Sequence, residues 1–256
     1  MVRGKPLARP RYLDFDFGAR VIYDPGPLLF PSLIKRLKGD QILLKILARL
    51  TRGRWTWLVK ERYQVDERIV EVPFVLRSIT EAERSILDLG CCGSALPLQL
   101  AHMGFKVVAV DQSEYLARHP NLSFVQADIC QLSFPSNLFD VVVSVSTIEH
   151  VGMGFYKDPV RSQGDVAAVQ EIWRVLKPRG RLLLTVPFGK PREGWQRVYD
   201  SAALAKLLSN FQIETTRYYK RVGAAWMSAS LEDAVSVDSP GETKAVVLIE
   251  ARRQDK

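Results

Sequence analysis

Residues 86–94 read Ile86-Leu87-Asp88-Leu89-Gly90-Cys91-Cys92-Gly93-Ser94, a short apolar strand ending near an acid, then a glycine-punctuated turn, then the start of a helix. In an α/β unit such a turn puts a ligand at the carboxyl edge of the first strand, where backbone amides face it and no side chain blocks close approach. The apolar pattern resumes over Phe105 to Val110 and stops at Asp111. That is roughly 20 residues beyond the turn, where a second strand presents a carboxylate to a ribose. The pair points to a nucleoside-containing cofactor.

Working outward, the alternation of strand and helix patterns sets the fold class. Residues 94–103 form a crossover helix that tolerates Pro97 in its opening turn, and Gly104 ends it. Residues 106–110 and 122–125 are the second and third strands. Residues 139–145 have the unbroken β-branched character of a parallel strand buried on both faces. Residues 166–176 return to helical spacing, and a Pro178 and Gly180 turn leads into a strand over 181–186. Residues 201–208 make a short helix with Ser201 near its cap, residues 211–219 and 244–251 are two further strands, and 223–238 is an insertion holding Trp226 and a short helix.

Ahead of this core, Pro6, Pro10, Pro25, Pro27 and Pro31 mix with Tyr12, Phe15, Phe17 and Tyr23, an arm and not a regular element. Apolar residues at three-to-four spacing over 33–50, broken near Gly39 and Asp40, give two lysine-bearing helices. Two readings stay open for them: a cap packed on the core, or a basic amphipathic surface that rests on a membrane or receives an acidic substrate. Arg52, Arg54, Trp55, Trp57, Lys60 and Arg62 either stack bases and neutralise phosphates or pack a tryptophan pair with the cations turned outward. Residues 67–79 form a helix kinked at Pro73, with Glu67 and Glu71 as polar contacts or solvated residues. The domain division is 1–66, arm and basic helical cap, and 67–256, catalytic domain.

Composition bounds the function classes. At 256 residues with 47% hydrophobic and 25% charged, the chain is an ordinary folded globular protein with one substantial core. A net charge of +8 and a pI near 9.5 favour anionic partners without choosing among nucleic acid, acidic membrane and phosphorylated metabolite. Cys91, Cys92 and Cys130 supply neither a disulfide framework nor a spaced metal motif, so the expectations are cytoplasmic residence and no metal. Adjacent cysteines in a regular turn do not converge on one ligand. Apolar runs such as 141–145 fall far short of the ~20 residues that span a bilayer, which leaves only peripheral membrane contact.

The ordered segments ILDLGCCGSALPLQLAHMGFKVVAVDQS, FVQADICQLSF, LFDVVVSVSTIEHVG and EIWRVLKPRGRLLLTVPF resemble the successive core motifs of class I S-adenosylmethionine-dependent methyltransferases, most closely small-molecule enzymes of the type 11 group. Gly90 and Gly93 lack the third glycine of a pyrophosphate binder; a methionine-bearing nucleoside without phosphate fits better. The resemblance implies an α/β, doubly wound, mostly parallel seven-stranded sheet with an antiparallel last strand, decorated by N-terminal helices. It implies S-adenosylmethionine as cofactor and S-adenosylhomocysteine as product. By the same resemblance, Gly90, Cys91, Cys92 and Gly93 meet the methionine end, Asp88 orients the loop or the ammonium, and Asp111 holds the ribose hydroxyls. Gln112 flanks the adenine, Asp128 bonds its amino group beside Ile129, and Ser144 and Ser146 stand where the fourth strand opens toward the methyl group.

Glu149 and His150 are the catalytic candidates: the histidine removes a proton from the nucleophile or supports the site, and the glutamate binds an amine or hydroxyl. Tyr156 and Arg161, in the connection over 152–164, and Trp195, Arg197 and Tyr199 further on are the substrate-binding candidates, with Arg192 beside them; they resemble parts of sugar and cell-envelope methyltransferases. The expected acceptor is a small molecule methylated on oxygen or nitrogen, sugar-containing or anionic. RNA is a second acceptor class, and a cofactor-binding regulatory protein without efficient turnover a third reading. The oligomeric state is left open.

Overall fold

In the computed structural model, which describes residues 65–156 and 158–255, helices and strands alternate as the hydrophobic pattern requires. The order is α1 (Arg68–Ser78), β1 (Ser85–Leu89), α2 (Leu96–His102), β2 (Lys106–Asp111), β3 (Leu122–Gln126), β4 (Phe139–Val145), a 3-10 turn (Ile148–His150), α3 (Gly164–Val175), β5 (Leu176–Pro187), α4 (Ser201–Leu207), β6 (Phe211–Val222), β7 (Ala225–Ala229), α5 (Leu231–Val235) and β8 (Ala245–Arg253). These residues all belong to one compact unit, Gln64–Lys256. The arm, the basic helices and the tryptophan-rich stretch expected before Gln64 lie outside the described residues.

The strands form one sheet in the order β3-β2-β1-β4-β5-β8-β6-β7. β1 to β5 are parallel, and β8 enters antiparallel between β5 and β6. Two apolar layers result from the period-2 alternation of side chains. Leu87, Val142, Leu182 and Leu184 face α3 residues such as Ile172 on one side. Ile86, Val141, Val143 and Leu183 face Phe74 and Val75 of α1 and Leu96 and Leu100 of α2 on the other. A strand covered on both faces has no polar side to offer, which is why 139–145 reads as a continuous run. Each fully buried aliphatic side chain contributes roughly 1.5–3 kcal/mol, so Leu183→Ala costs about 2–5 kcal/mol.

The sheet corrects several expectations. It has eight strands, not seven: β7 arises within the stretch read only as an insertion, because Gly223, at φ 60°, opens a two-residue turn that pairs Val222 with Ala225. Trp226 then donates from Nε1 to the Val65 carbonyl at 3.0 Å, tying the added edge to the approach to α1. β5 begins at Leu176 and not after Gly180; its register with β4 shifts between Phe139 and Val141, and Arg179 takes φ 61°. Asp200, not Ser201, caps α4, its carboxylate accepting from the Ala203 amide at 2.8 Å. α1 runs from Arg68 to Ser78 with Pro73 inside it. No helix among the described residues is long and apolar enough to cross a membrane.

Candidate active site

The carboxyl ends of β1, β2 and β4 surround a cavity of about 360 Å³, and Gly90, Cys92, Asp111, Gln112, Ile129 and Ser146 stand on its wall with Glu149, His150, Tyr156 and Trp195. Gly90 holds the turn at φ 77°, and its missing Cβ would sit 2.2 Å from the Thr147 hydroxyl. Only glycine meets both demands. Its amide donates to the Val110 carbonyl at 2.8 Å, joining the turn to β2. Asp111 closes the arrangement: one carboxylate oxygen accepts from the Cys92 amide and the other from the Ser113 amide, each at 2.8 Å. Two fixed amides orient the carboxylate and leave further lone pairs facing the cavity.

α1 supplies a second layer that the sequence barely announced. Glu71 is fully buried and accepts from the Ser146 hydroxyl at 2.7 Å. Arg68 donates to Glu71 at 3.3 Å and to the Val145 carbonyl at 2.8 Å. Burial pushes the Glu71 carboxyl up to about 7 against the pull of Arg68. Asp88, beneath the turn, is pushed up to about 7 for the same reason, and one of its oxygens has no partner. Ser146 takes φ 42°, a left-handed conformation at the point where β4 turns away from the sheet.

Glu149 and His150 meet at the cavity. The Glu149 side chain is about 1% exposed, neither carboxylate oxygen has a partner, and burial raises its pKa well above the ordinary value. His150 Nδ1 lies 3.2 Å from the Trp195 carbonyl. A carbonyl only accepts, so Nδ1 carries the proton and Nε2 is left as an acceptor. Burial lowers the His150 pKa despite that bond. Nε2 stands 3.9 Å from a Glu149 oxygen, and the imidazole packs between Trp195 and Tyr156, with ring centroids 4.8 and 5.2 Å away.

Other candidates fall elsewhere. Asp88, Cys91, Gly93, Asp128 and Ser144 are not on the cavity wall; Cys91 and Ser144 are fully buried. One Asp128 oxygen takes the Cys130 amide at 2.9 Å and the other Arg161 at 2.6 Å. Burial opposes its ionisation, but those bonds hold it below the usual carboxylate range. Arg161 is thus a partner of Asp128 and no lone anion contact. Arg197 and Tyr199 are corrected as well. Arg197 is buried, donating to the Val151 carbonyl at 2.7 Å and, more weakly, to that of Glu149 at 3.4 Å, while the Tyr199 hydroxyl donates to Asp165 at 3.0 Å. Arg197 thus holds the backbone at the 3-10 turn, and Tyr199 is tied to α3 through Asp165. Arg192, expected in the same group, pairs with Asp238 at 3.1 Å.

Among the described residues one cluster has metal-ligating chemistry: the Cys91 and Cys92 sulfurs and an Asp111 oxygen lie within 4.8 Å of one another. The left-handed turn at Gly90 and Gly93 brings together two thiols expected to diverge. Burial, the largest cause, together with the nearby acids pushes both thiols up, Cys92 to about 11, so both stay neutral. Arg68, Thr147 and Gln196 line the cavity without having been singled out. The only signal for Arg68 was its place between Glu67 and Glu71 on the helix before β1.

A family model described as a methyltransferase domain matches residues 87–184, the segment that carries the turn, Asp111 and the Glu149-His150 pair. Residues 87–184 are a class I methyltransferase domain of the type 11 group. The chain is 32% identical over 138 residues to a ubiquinone/menaquinone biosynthesis C-methyltransferase of Pseudomonas putida, covering 51% of this chain and 44% of that protein. It is 31% identical over 124 residues to the eEF1A lysine and N-terminal methyltransferase of Mus musculus, covering 44% of this chain and 18% of the other. The matched stretch spans less than half the length of either relative. The 1,6-didemethyltoxoflavin-N1-methyltransferase of Burkholderia thailandensis shares the fold, with a TM-score of 0.52 at 16% identity over 91% of this chain and 94% of its own.

Proposed function

We propose that the domain binds S-adenosylmethionine in the carboxyl-edge cavity and transfers its methyl group to oxygen or nitrogen of a small acceptor, leaving S-adenosylhomocysteine. The observation that carries this reading is the Asp111 carboxylate, held by the Cys92 and Ser113 amides at the rim of the Gly90 turn. A carboxylate with free lone pairs beside a turn that no side chain obstructs suits a ribose diol, and Ile129 on the same wall suits a flat base. The cofactor, when bound, supplies an electrophilic methyl carbon on a sulfonium.

The chain's own residues would hold the acceptor in line and receive its proton. Neutral His150, its tautomer fixed by Trp195, offers Nε2 as the proton acceptor, and alignment within the cavity carries much of the remaining rate. The two relatives are named for different acceptor atoms, carbon in one and lysine nitrogen in the other, so acceptor chemistry here rests on the site. An anionic acceptor draws no support from Arg161, Arg192 or Arg197, whose side chains are engaged with Asp128, Asp238 and backbone carbonyls. RNA as acceptor rests on the residues 52–62 outside the described part.

Calorimetric titration of the purified protein with S-adenosylmethionine and S-adenosylhomocysteine tests the reading. Saturable binding is expected, weakened by about 2 kcal/mol in Asp111→Ala through loss of charged hydrogen bonds. Folded protein that binds neither compound at high micromolar concentration refutes it.

A further inference from the structure

Resting on the methyltransferase reading, we infer that the acceptor carries a primary amine, whose N–H groups are received together by Glu149 and by Nε2 of His150. Three independent features converge on this chemistry. The first is a shortage of donors: Glu149 is buried on the cavity wall with both oxygens unpartnered, and His150 spends its only donor on Trp195. When ionised, Glu149 and the Nε2 atom of His150 are both acceptors, 3.9 Å apart on that wall, and an ammonium between them is what would keep Glu149 ionised against the burial that raises its pKa. One nitrogen with two hydrogens can bridge them, whereas a hydroxyl has one hydrogen and leaves one acceptor unmet.

The second feature is charge. Arg68 is the one cation on the described wall, against Asp66, Glu67, Asp111, Glu149 and Asp158, and Arg68 is already bonded to Glu71. A buried carboxylate without a counter-ion is costly, and an ammonium offsets that cost. The third is aromatic: Tyr156 and Trp195 line the same cavity beside His150, and aromatic faces attract a cation.

The step balances without any further reagent. Bound as an ammonium, the acceptor first gives one proton to His150 Nε2. The freed nitrogen lone pair then forms the C–N bond as the S–C bond breaks, the sulfonium becoming a neutral thioether and the nitrogen a secondary ammonium. The proton on His150 passes to water.

Benzylamine and benzyl alcohol, matched in shape, test the inference by calorimetry on the full chain saturated with S-adenosylhomocysteine. Benzylamine is expected to bind at least about tenfold more tightly than the alcohol, the worth of one additional charged hydrogen bond. Glu149→Gln should erase that preference while S-adenosylhomocysteine affinity stays within about twofold. Equal binding of the pair, binding of neither, or a preference that survives in Glu149→Gln overturns the inference, as does a tenfold loss of S-adenosylhomocysteine affinity in that variant, which would give Glu149 to the cofactor. If Glu149→Gln does not fold, the matched pair on the wild type and on Tyr156→Leu, altered at an exposed position, still decides. Failure of S-adenosylhomocysteine to bind at all counts against the methyltransferase reading instead.

Discussion

The two ends of the parallel strands treat their charges in opposite ways. At the amino end, Asp140 accepts from the Arg84 and Ser85 amides, the Ser85 hydroxyl and Lys177. Arg181 there bridges Glu83 at 2.7 Å and Glu250 at 2.8 Å. At the carboxyl end Asp111 and Asp128 are bonded too, but Glu149 has no hydrogen-bond partner and Asp88 leaves one oxygen without any. The same sheet thus carries carboxylates the protein has satisfied and carboxylates it has left unsatisfied. Charges completed by the chain itself hold elements together, while buried charges left incomplete are available to something the chain does not supply.

The most damaging way to break this contrast lies at the satisfied end. Arg181→Met should leave two largely buried carboxylates without a counter-ion and cost about 3 kcal/mol by urea denaturation, with cofactor affinity per folded molecule unchanged. Next in size is Gly90→Ala. Its Cβ would collide with Thr147 in a left-handed backbone, so a loss of about 2 kcal/mol is expected, here together with loss of S-adenosylhomocysteine binding by calorimetry. Equal effects of the two variants on binding would dissolve the distinction between the ends.

Acidity separates the ends by sign. Asp140 sits at about 2 in the fold against an ordinary 3.8; burial opposes this, but Lys177 and the two amides outweigh it. Its contribution is complete above about pH 4 and lost as pH falls toward 2. Glu71 is raised from 4.5 to about 7 by burial, so the folded state binds its proton more tightly, and stability falls as pH rises from about 4.5 to about 7. Denaturation across pH should show Asp140→Asn flattening the acid limb by about 2 kcal/mol and Glu71→Gln flattening part of the neutral limb, where Asp88 also contributes. The smallest effect is reserved for Arg161→Ala. Its ion pair with Asp128 is solvent-exposed on the arginine side, so the thermal midpoint should stay within measurement error.

The contrast also explains what could be read from the sequence. The fold was legible because strands buried on both faces leave continuous runs such as Val141 to Val145, and because the Gly90 turn and Asp111 act through local backbone geometry. Pairings made across the fold leave no such trace. Arg161 was expected to meet an acidic acceptor and instead meets Asp128, 33 residues earlier. Arg197 was expected in the cavity and instead holds the carbonyls behind it. Arg68 and Glu71 reach the site only because α1 packs over β4 and β5, a placement that helical spacing cannot convey. β7 was missed because a five-residue edge strand, half exposed, has little hydrophobic pattern to show.

The position of β8 bears on how the chain can be assembled as it is synthesised. Residues 245–253 come after every other strand, yet they lie inside the sheet, between β5 and β6. Until they leave the ribosome, the β6-β7 hairpin has no strand joining it to β5, and the apolar layer under α1 and α2 is missing Val246 and Leu248. The nascent chain therefore carries an open, apolar sheet edge at β5 from the time residues 176–187 are made until residues 245–253 follow, the form of intermediate most prone to pairing with another chain. Cooperative closure waits on residues 245–253, and a ribosome stall shortly before residue 245 would leave the sheet broken at β5.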